Sequence, residues 1–356
     1  MILPNNKEEH MSHKIYDELA QALNARSTML LSIPCDEFYA FAEALFTPEQ
    51  AQLACSMPME SISAQDLAKK IGEDAGKVEK QLEEMTGRGL IKACGEDGKK
   101  TYQFLPLVPG LIELQFMKGE VSERSKRLTV LLRSYMKAAK EIAMMSPPHT
   151  ATSVATTRTI PVNKPMRHLP TIMPYDEVVK LVDTAECWAV GTCVCRHHGD
   201  LLDKPCDKPK QNMCMIVGES ARDAASRGLA RLVSKEEARE FLKQADEAGL
   251  VHSFANTDDE YINLLCNCCL CHCMILRGVK RSPLPSQAVY ADWVVMINSD
   301  ECTGCGACID RCWMEALKLD GTTAVRDANR CIGCGVCMYV CPTDAMKMEK
   351  RETVKV

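Results

Sequence analysis

Seventeen of the 21 cysteines in this 356-residue chain stand at spacings that suit thiolate ligation. Near the C-terminus, Cys302-Thr-Gly-Cys305-Gly-Ala-Cys308-Ile-Asp-Arg-Cys312 is answered by Cys331-Ile-Gly-Cys334-Gly-Val-Cys337-Met-Tyr-Val-Cys341-Pro342. Each run reads C-x2-C-x2-C-x3-C, the bacterial iron–sulfur spacing in which the fourth cysteine serves the other run's cluster. On that rule Cys302, Cys305, Cys308 and Cys341 hold one [4Fe-4S] cluster, and Cys331, Cys334, Cys337 and Cys312 hold the second. Three thiolates within seven residues converge only where the backbone turns sharply, which the glycines at 304, 306, 333 and 335 permit. Gly306 and Gly335 occupy matching places, so the runs form an internal repeat of about 29 residues. Zinc takes four thiolates from two C-x2-C pairs; two runs of four cysteines at this spacing argue against it.

Residues 290–350 resemble the bacterial two-cluster ferredoxins. The resemblance implies a short strand before each run and a helical turn after it, at Met314-Glu-Ala-Leu and Thr343-Asp-Ala-Met. One departure is Cys312-Trp313, where the family has Cys-Pro; an indole here is placed to stack over a cluster or shield it from water.

Nine more cysteines fall in the middle of the chain: Cys193, Cys195, Cys206, Cys214, Cys266, Cys268, Cys269, Cys271 and Cys273. Five of them lie within eight residues, too dense for chance burial, and all nine read as metal ligands. Two cubanes would use eight and leave one over, one cubane plus a zinc would also use eight, and a single cluster would leave several spare. C-x-C spacing does not decide the metal, although two cubanes elsewhere in the chain favour at least one further iron–sulfur cluster here. His197, His198 and His272 stand beside these cysteines and read as supporting or surface residues rather than ligands. Arg196 and His197 come directly after a ligand and are placed to donate hydrogen bonds to a cluster. Thiols bunched at ligand spacing in a long chain indicate reduced, metal-bearing thiolates rather than a disulfide scaffold. Cys-Val-Cys-Arg, Cys-Asn-Cys-Cys and the terminal pair together resemble a group of anaerobe proteins described as 4Fe-4S dicluster oxidoreductases, over about residues 170–350. That resemblance implies no substrate.

The elements that must position these residues suggest an α+β, multidomain chain. Residues 1–145 form a winged-helix-like domain with a long flanking helix, 146–174 a Pro/Thr-rich linker, 175–285 an α/β cysteine-rich domain, and 286–356 a two-cluster ferredoxin-like domain. Thr47-Pro48-Glu49-Gln50 combines an N-cap, a proline at the first helical position and a capping-box glutamine. Ser63 opens a second helix, and Val78, Leu82 and Met85 mark the buried face of a third. Two short strands then flank Glu96-Asp97-Gly98. Helix, turn, helix, hairpin over residues 35–106 resembles a winged helix, which implies DNA recognition through residues 75–87. The acidic Glu73, Asp74, Glu79, Glu83 and Glu84 oppose that, because they repel phosphates and leave only Lys99-Lys100 suited to one. Residues 111–145 carry the apolar spacing of a long amphipathic helix, able to pack on this domain or pair with a second copy as a homodimer. Ser234 to Glu237 is another capping box, and Gly249 stands just past the end of the helix it opens.

Net charge is −5 and the isoelectric point ≈ 6.0, so no basic field attracts nucleic acid or an acidic membrane. No apolar run is long enough to span a membrane and the first residues are polar, which points to a cytoplasmic protein. Neither a dinucleotide nor a P-loop glycine motif is present. The expectation is an electron-transfer protein, or the electron-transfer subunit of an anaerobic oxidoreductase, exchanging electrons with redox protein partners. The alternatives are a redox-sensing DNA-binding regulator and an oxidoreductase whose middle cluster is open to substrate.

Overall fold

The computed structural model describes residues 6–26, 32–95, 100–145, 171–255, 264–289 and 291–350. The linker at 146–170 and the hairpin turn at 96–99 lie outside the described residues. The chain divides into two compact units.

The first unit runs through α1 (Asn6–Arg26), α2 (Asp36–Leu45), α3 (Pro48–Ser56), β1 (Ile62–Ser63), α4 (Ala64–Ile71), α5 (Ala75–Gly87), β2 (Ile91–Cys94), β3 (Thr101–Phe104), α6 (Ile112–Phe116) and α7 (Glu123–Met145). Local chemistry sets these boundaries. Thr47 and Gln50 exchange side-chain hydrogen bonds with each other's backbone N–H to open α3, and Ser63 and Asp74 cap α4 and α5. Gly72, at φ 75°, ends α4 in the left-handed conformation. The strands pair antiparallel in the order β1-β3-β2. Phe38, Phe41 and Leu45 are buried on α2, and Phe38 meets Tyr135 of α7 edge to face at 5.4 Å. The long helix expected over 111–145 is corrected: the chain leaves α6 after Phe116 and restarts at Glu123, where Ser122 and Ser125 exchange hydrogen bonds. Residues 223–230 also belong to this unit. Their Arg227 donates to the carbonyls of Ile91 at 2.8 Å and Thr86 at 3.3 Å, covering the edge strand β2.

The second unit contains both the middle and the terminal cysteines. Its large sheet is built from β4 (Thr171–Met173), β5 (Trp188–Gly191), β6 (Cys214–Val217), β7 (Arg231–Val233), β8 (Val251–Ala255) and β9 (Leu264–Cys268), in the order β4-β8-β9-β6-β5-β7. Every pairing is antiparallel, so the α/β expectation for the middle segment is corrected to α+β. The helices between are α8 (Tyr175–Thr184), α9 (Val194–Leu201), α10 (Glu219–Ser226), whose residues from 223 on belong to the first unit, α11 (Lys235–Glu247) and α12 (Met274–Arg281). Val178 and Val182 of α8 and Leu242 of α11 pack on Val190, Met215 and Leu265 of the sheet. Glu237 and Ser234 form the capping box that starts α11.

The terminal segment adds β10 (Trp293–Ile297), α13 (Ala307–Arg311), β11 (Leu317–Asp320), β12 (Thr323–Arg326) and β13 (Met346–Lys350). β10 pairs with β13 and β11 with β12, both antiparallel. The helical turns expected after each cysteine run are corrected. Short helices sit inside the runs, at α13 and at Met338–Val340. After each run the chain makes a turn instead, with Glu315 at φ 54° in the first and Asp344 at φ 52° in the second.

Candidate metal centres

In the terminal segment the two cysteine runs line two cavities, of ≈ 320 and ≈ 370 Å³ including their open mouths. Cys302, Cys305 and Cys308 meet Cys341 in the first. Cys331, Cys334 and Cys337 meet Cys312 in the second. Each run thus sends its fourth thiol to the cavity of the other. Gly304 and Gly333 sit at φ 65° and 69°, and a Cβ at either would run into the carbonyl of Thr322 or of Trp293. No other residue type fits such a close backbone approach.

Backbone N–H groups reach the sulfurs: Ala324 donates to Cys302 Sγ at 3.4 Å and Ala316 to Cys312 Sγ at 3.3 Å. Hydrogen bonds from Ala324 and Gly304 hold the Cys302 thiol below its ordinary pKa. Burial pushes Cys334 up to about 12 and Cys337 well above its usual value. Cys305 is exposed, whereas Cys331 and Cys337 are buried. Thiols that resist ionising alone give up their protons to solvent when they bind a metal. Four thiols around a lined cavity, with N–H groups aimed at sulfur, fit an anionic iron–sulfur cubane.

The second cavity is also where the terminal segment meets the middle sheet. Trp313 lines it and donates its Nε1–H to the carbonyl of Gly249 at 2.6 Å. Arg311 donates to the carbonyls of Asp246 at 2.8 Å and Glu247 at 2.6 Å. A guanidinium on the last carbonyls of α11 complements the negative end of the helix. The indole at the position after Cys312 therefore anchors one segment to the other, a role its place in the sequence did not reveal.

The nine middle cysteines separate into two groups. Cys195, Cys268 and Cys273 form one chain of thiol contacts, with Cys193 close to Cys266 and Cys273. Cys266 contacts Cys268 and also Cys214, its register partner on β6. Shared protons drive Cys273 well below the ordinary thiol pKa, through hydrogen bonds from Cys195 and Cys268, and drive Cys195 well above it. Cys193 and Cys273 are the N-cap residues of α9 and α12. Two helix N-termini therefore present their N–H ends near these thiols.

The other group is Cys206, Cys269 and Cys271 with His272, whose ligand atoms all lie within 4.8 Å of one another. Cys206 Sγ is 3.2 Å from Cys271 Sγ and 3.9 Å from Cys269 Sγ. His272, expected as a supporting or surface residue, thus stands among the thiols; the signal for it in the sequence was a histidine set directly between two cysteines.

Arg196 lies with these thiols. Its side chain is 1% exposed; Nη2 donates to the carbonyl of Asn267 at 3.1 Å, while Nε and Nη1 have no hydrogen-bond partner. Burial raises the Cys269 thiol, but the hydrogen bond and charge of Arg196 outweigh it and bring that thiol below its ordinary value. A buried guanidinium with idle N–H groups is costly unless an anion faces it. His252 is fully buried, bonded through Nδ1 to Asn267 Oδ1 at 2.7 Å, and burial lowers its pKa to about 4.

Among the described residues no helix is long and apolar enough to cross a membrane. Residues 287–348 match the family described as the 4Fe-4S dicluster domain. Neither the curated proteins nor the solved structures contain a match to the chain. The matched residues contain both terminal cysteine runs. The C-terminal part is thus a ferredoxin-like domain that binds 4Fe-4S clusters, and the protein is of the iron–sulfur electron-transfer kind.

Proposed function

We propose that the chain is an electron-transfer protein, or the electron-transfer subunit of an oxidoreductase, with three [4Fe-4S] sites in one compact unit. The ligands are Cys302, Cys305, Cys308 and Cys341; Cys331, Cys334, Cys337 and Cys312; and Cys193, Cys195, Cys268 and Cys273. The observation that carries this reading is packing. Cys268 and Cys273 belong to the same buried cluster as seven of the eight terminal cysteines, together with Val251, Leu276 and Val279.

When bound, such clusters supply one-electron chemistry at potentials tuned by charge, hydrogen bonding and solvent exposure. The residues of this chain set those conditions differently at each site. Exposed Cys305 brings the first site to the surface, where a protein partner can approach. Burial of Cys331 and Cys337, with Trp313 against Gly249, excludes water from the second. At the third, the N-termini of α9 and α12 and the Arg196 guanidinium hold positive charge against the thiolates.

The first unit serves as a docking module for a protein partner. Lys100, one of the two basic residues suited to a phosphate, is paired with Glu83 at 3.2 Å, and Glu83 also accepts from Tyr102. That leaves the α5 surface acidic, which disfavours nucleic acid.

Iron and sulfide analysis of anaerobically purified full-length chain tests the proposal. About twelve irons per chain are expected from three cubanes. A content of about eight would overturn the third site, and a full-length protein that gel-shifts its own upstream DNA tightly would overturn the docking role.

A further inference from the structure

We infer that Cys206, Cys269, Cys271 and His272 form a zinc site, with His272 Nδ1 as the fourth ligand beside three thiolates. Size is the first reason. A tetrahedral zinc with Zn–S bonds of about 2.3 Å holds its thiolates about 3.8 Å apart. Cys206 stands 3.9 Å from Cys269 and 3.2 Å from Cys271, and a ring nitrogen of His272 and the three sulfurs are mutually within 4.8 Å. Among the described residues this is the one such convergent group. The terminal cysteine sets instead spread around cavities of ≈ 320 and ≈ 370 Å³. A cubane needs room between its thiolates, while a single ion draws them together.

The imidazole is oriented for this role. Its Nε2 lies 2.8 Å from the carbonyl of Lys204; a carbonyl only accepts, so Nε2 carries the proton and Nδ1 keeps its lone pair. Nδ1 is buried and has no hydrogen-bond partner. A backbone carbonyl that fixes the tautomer from the far side is the usual support of a metal-bound histidine. Gly199 of α9 makes room: a Cβ there would collide with the His272 ring and the Lys204 carbonyl.

Charge is the remaining reason. Three thiolates and one Zn²⁺ leave a net charge of about −1, and the buried guanidinium of Arg196 is close enough to hydrogen-bond Cys269 and offset it. The site ties the 202–213 loop to the turn after β9. It also sets aside two of the five thiols in that dense stretch, leaving Cys266, Cys268 and Cys273 for the other group.

The site is tested on full-length chain purified anaerobically, dialysed against a chelator, and assayed for zinc and iron separately. Wild type should keep about one zinc, and zinc-edge X-ray absorption should fit three sulfurs and one nitrogen. His272→Ala should lose at least nine-tenths of the zinc with iron unchanged. His272→Cys should restore it with a four-sulfur spectrum. Wild type without zinc, a wild-type zinc shell of four sulfurs, or zinc retained in His272→Ala would each overturn the assignment. So would loss of about four irons from His272→Ala, which would make the group part of a cluster. Apart from that last outcome, zinc and iron are counted independently, so failure here leaves the three-cluster reading standing, and the reverse holds.

Discussion

The terminal and middle cysteines solve the same problem, gathering thiolates, in opposite ways. In the terminal segment, three thiols of each site come from one short run, and only the fourth is fetched from the sister run. In the middle segment the partners come from α9, the loop after it, β6, and β9 with its adjoining turn, up to 80 positions apart (193 to 273). Glycine turns and close backbone approaches shape the first kind, and the large antiparallel sheet shapes the second. A repeat can therefore be read as a site, whereas a dispersed set becomes a site only once the sheet has formed.

The strongest way to break this comparison is to remove one buried thiol from the local kind. Cys334→Ala should cost about four irons, abolish the spin coupling between the terminal clusters in the reduced protein, and leave zinc at wild-type level. An unchanged paramagnetic spectrum would refute the assignment of Cys334.

Two neighbouring substitutions sharpen the middle site. Cys268→Ala should lower iron and spare zinc, while Cys269→Ala should lower zinc and spare iron, although the two residues are consecutive. If both variants lose the same metal, the division of the nine thiols is wrong.

A third effect is set by acid. Burial keeps His252 neutral in the folded protein, with its pKa lowered to about 4, against about 6.5 unfolded. The unfolded state binds the extra proton, so stability is fully present above about pH 6.5 and is lost as pH falls through about 4. Between pH 7.5 and 5 the linkage amounts to about 2 kcal/mol. Asp246 beside it, whose carboxyl burial raises to about 6, acts in the opposite sense, so the effect is read by difference. Relative to wild type, the denaturant midpoint of His252→Gln should rise as pH falls from about 7.5 to about 5, and a constant difference would remove His252 as a cause.

The smallest effect probes the junction of the two kinds of site. Trp313→Phe keeps an aromatic ring but loses the hydrogen bond to the Gly249 carbonyl, so stability should fall by about 1 kcal/mol. The potential of the buried terminal cluster should shift more than that of the cluster at Cys305. Identical shifts at both, measured by redox titration, would show that Trp313 acts on neither site in particular.

Much of this architecture was legible in the residues themselves. The spacing of Cys302 to Cys312 and Cys331 to Cys341, the capping boxes at Thr47 and Ser234, and the glycine at 249 act within a few positions, so local chemistry reveals them. The antiparallel sheet was not legible, because helix and strand alternate along the middle segment and strand order depends on long-range pairing. The break between α6 and α7 was passed over, although the polar Lys118-Gly-Glu-Val-Ser122, with Gly119 at φ 72°, marks it.

By itself, the sequence determined the two four-cysteine runs and the convergence of three thiols in each, since backbone turns of fixed length place these whatever surrounds them. Only the tertiary structure decided how the nine middle thiols divide. Cys266 and Cys268 stand two apart on β9 and share a face, while Cys269, just past the strand end, turns toward Cys206. Successive side chains on a strand point to opposite sides, and what waits on each side is set by segments distant in the chain. His272 became a candidate ligand for the same reason: the Lys204 carbonyl and Gly199, some 70 positions earlier, hold its ring in place.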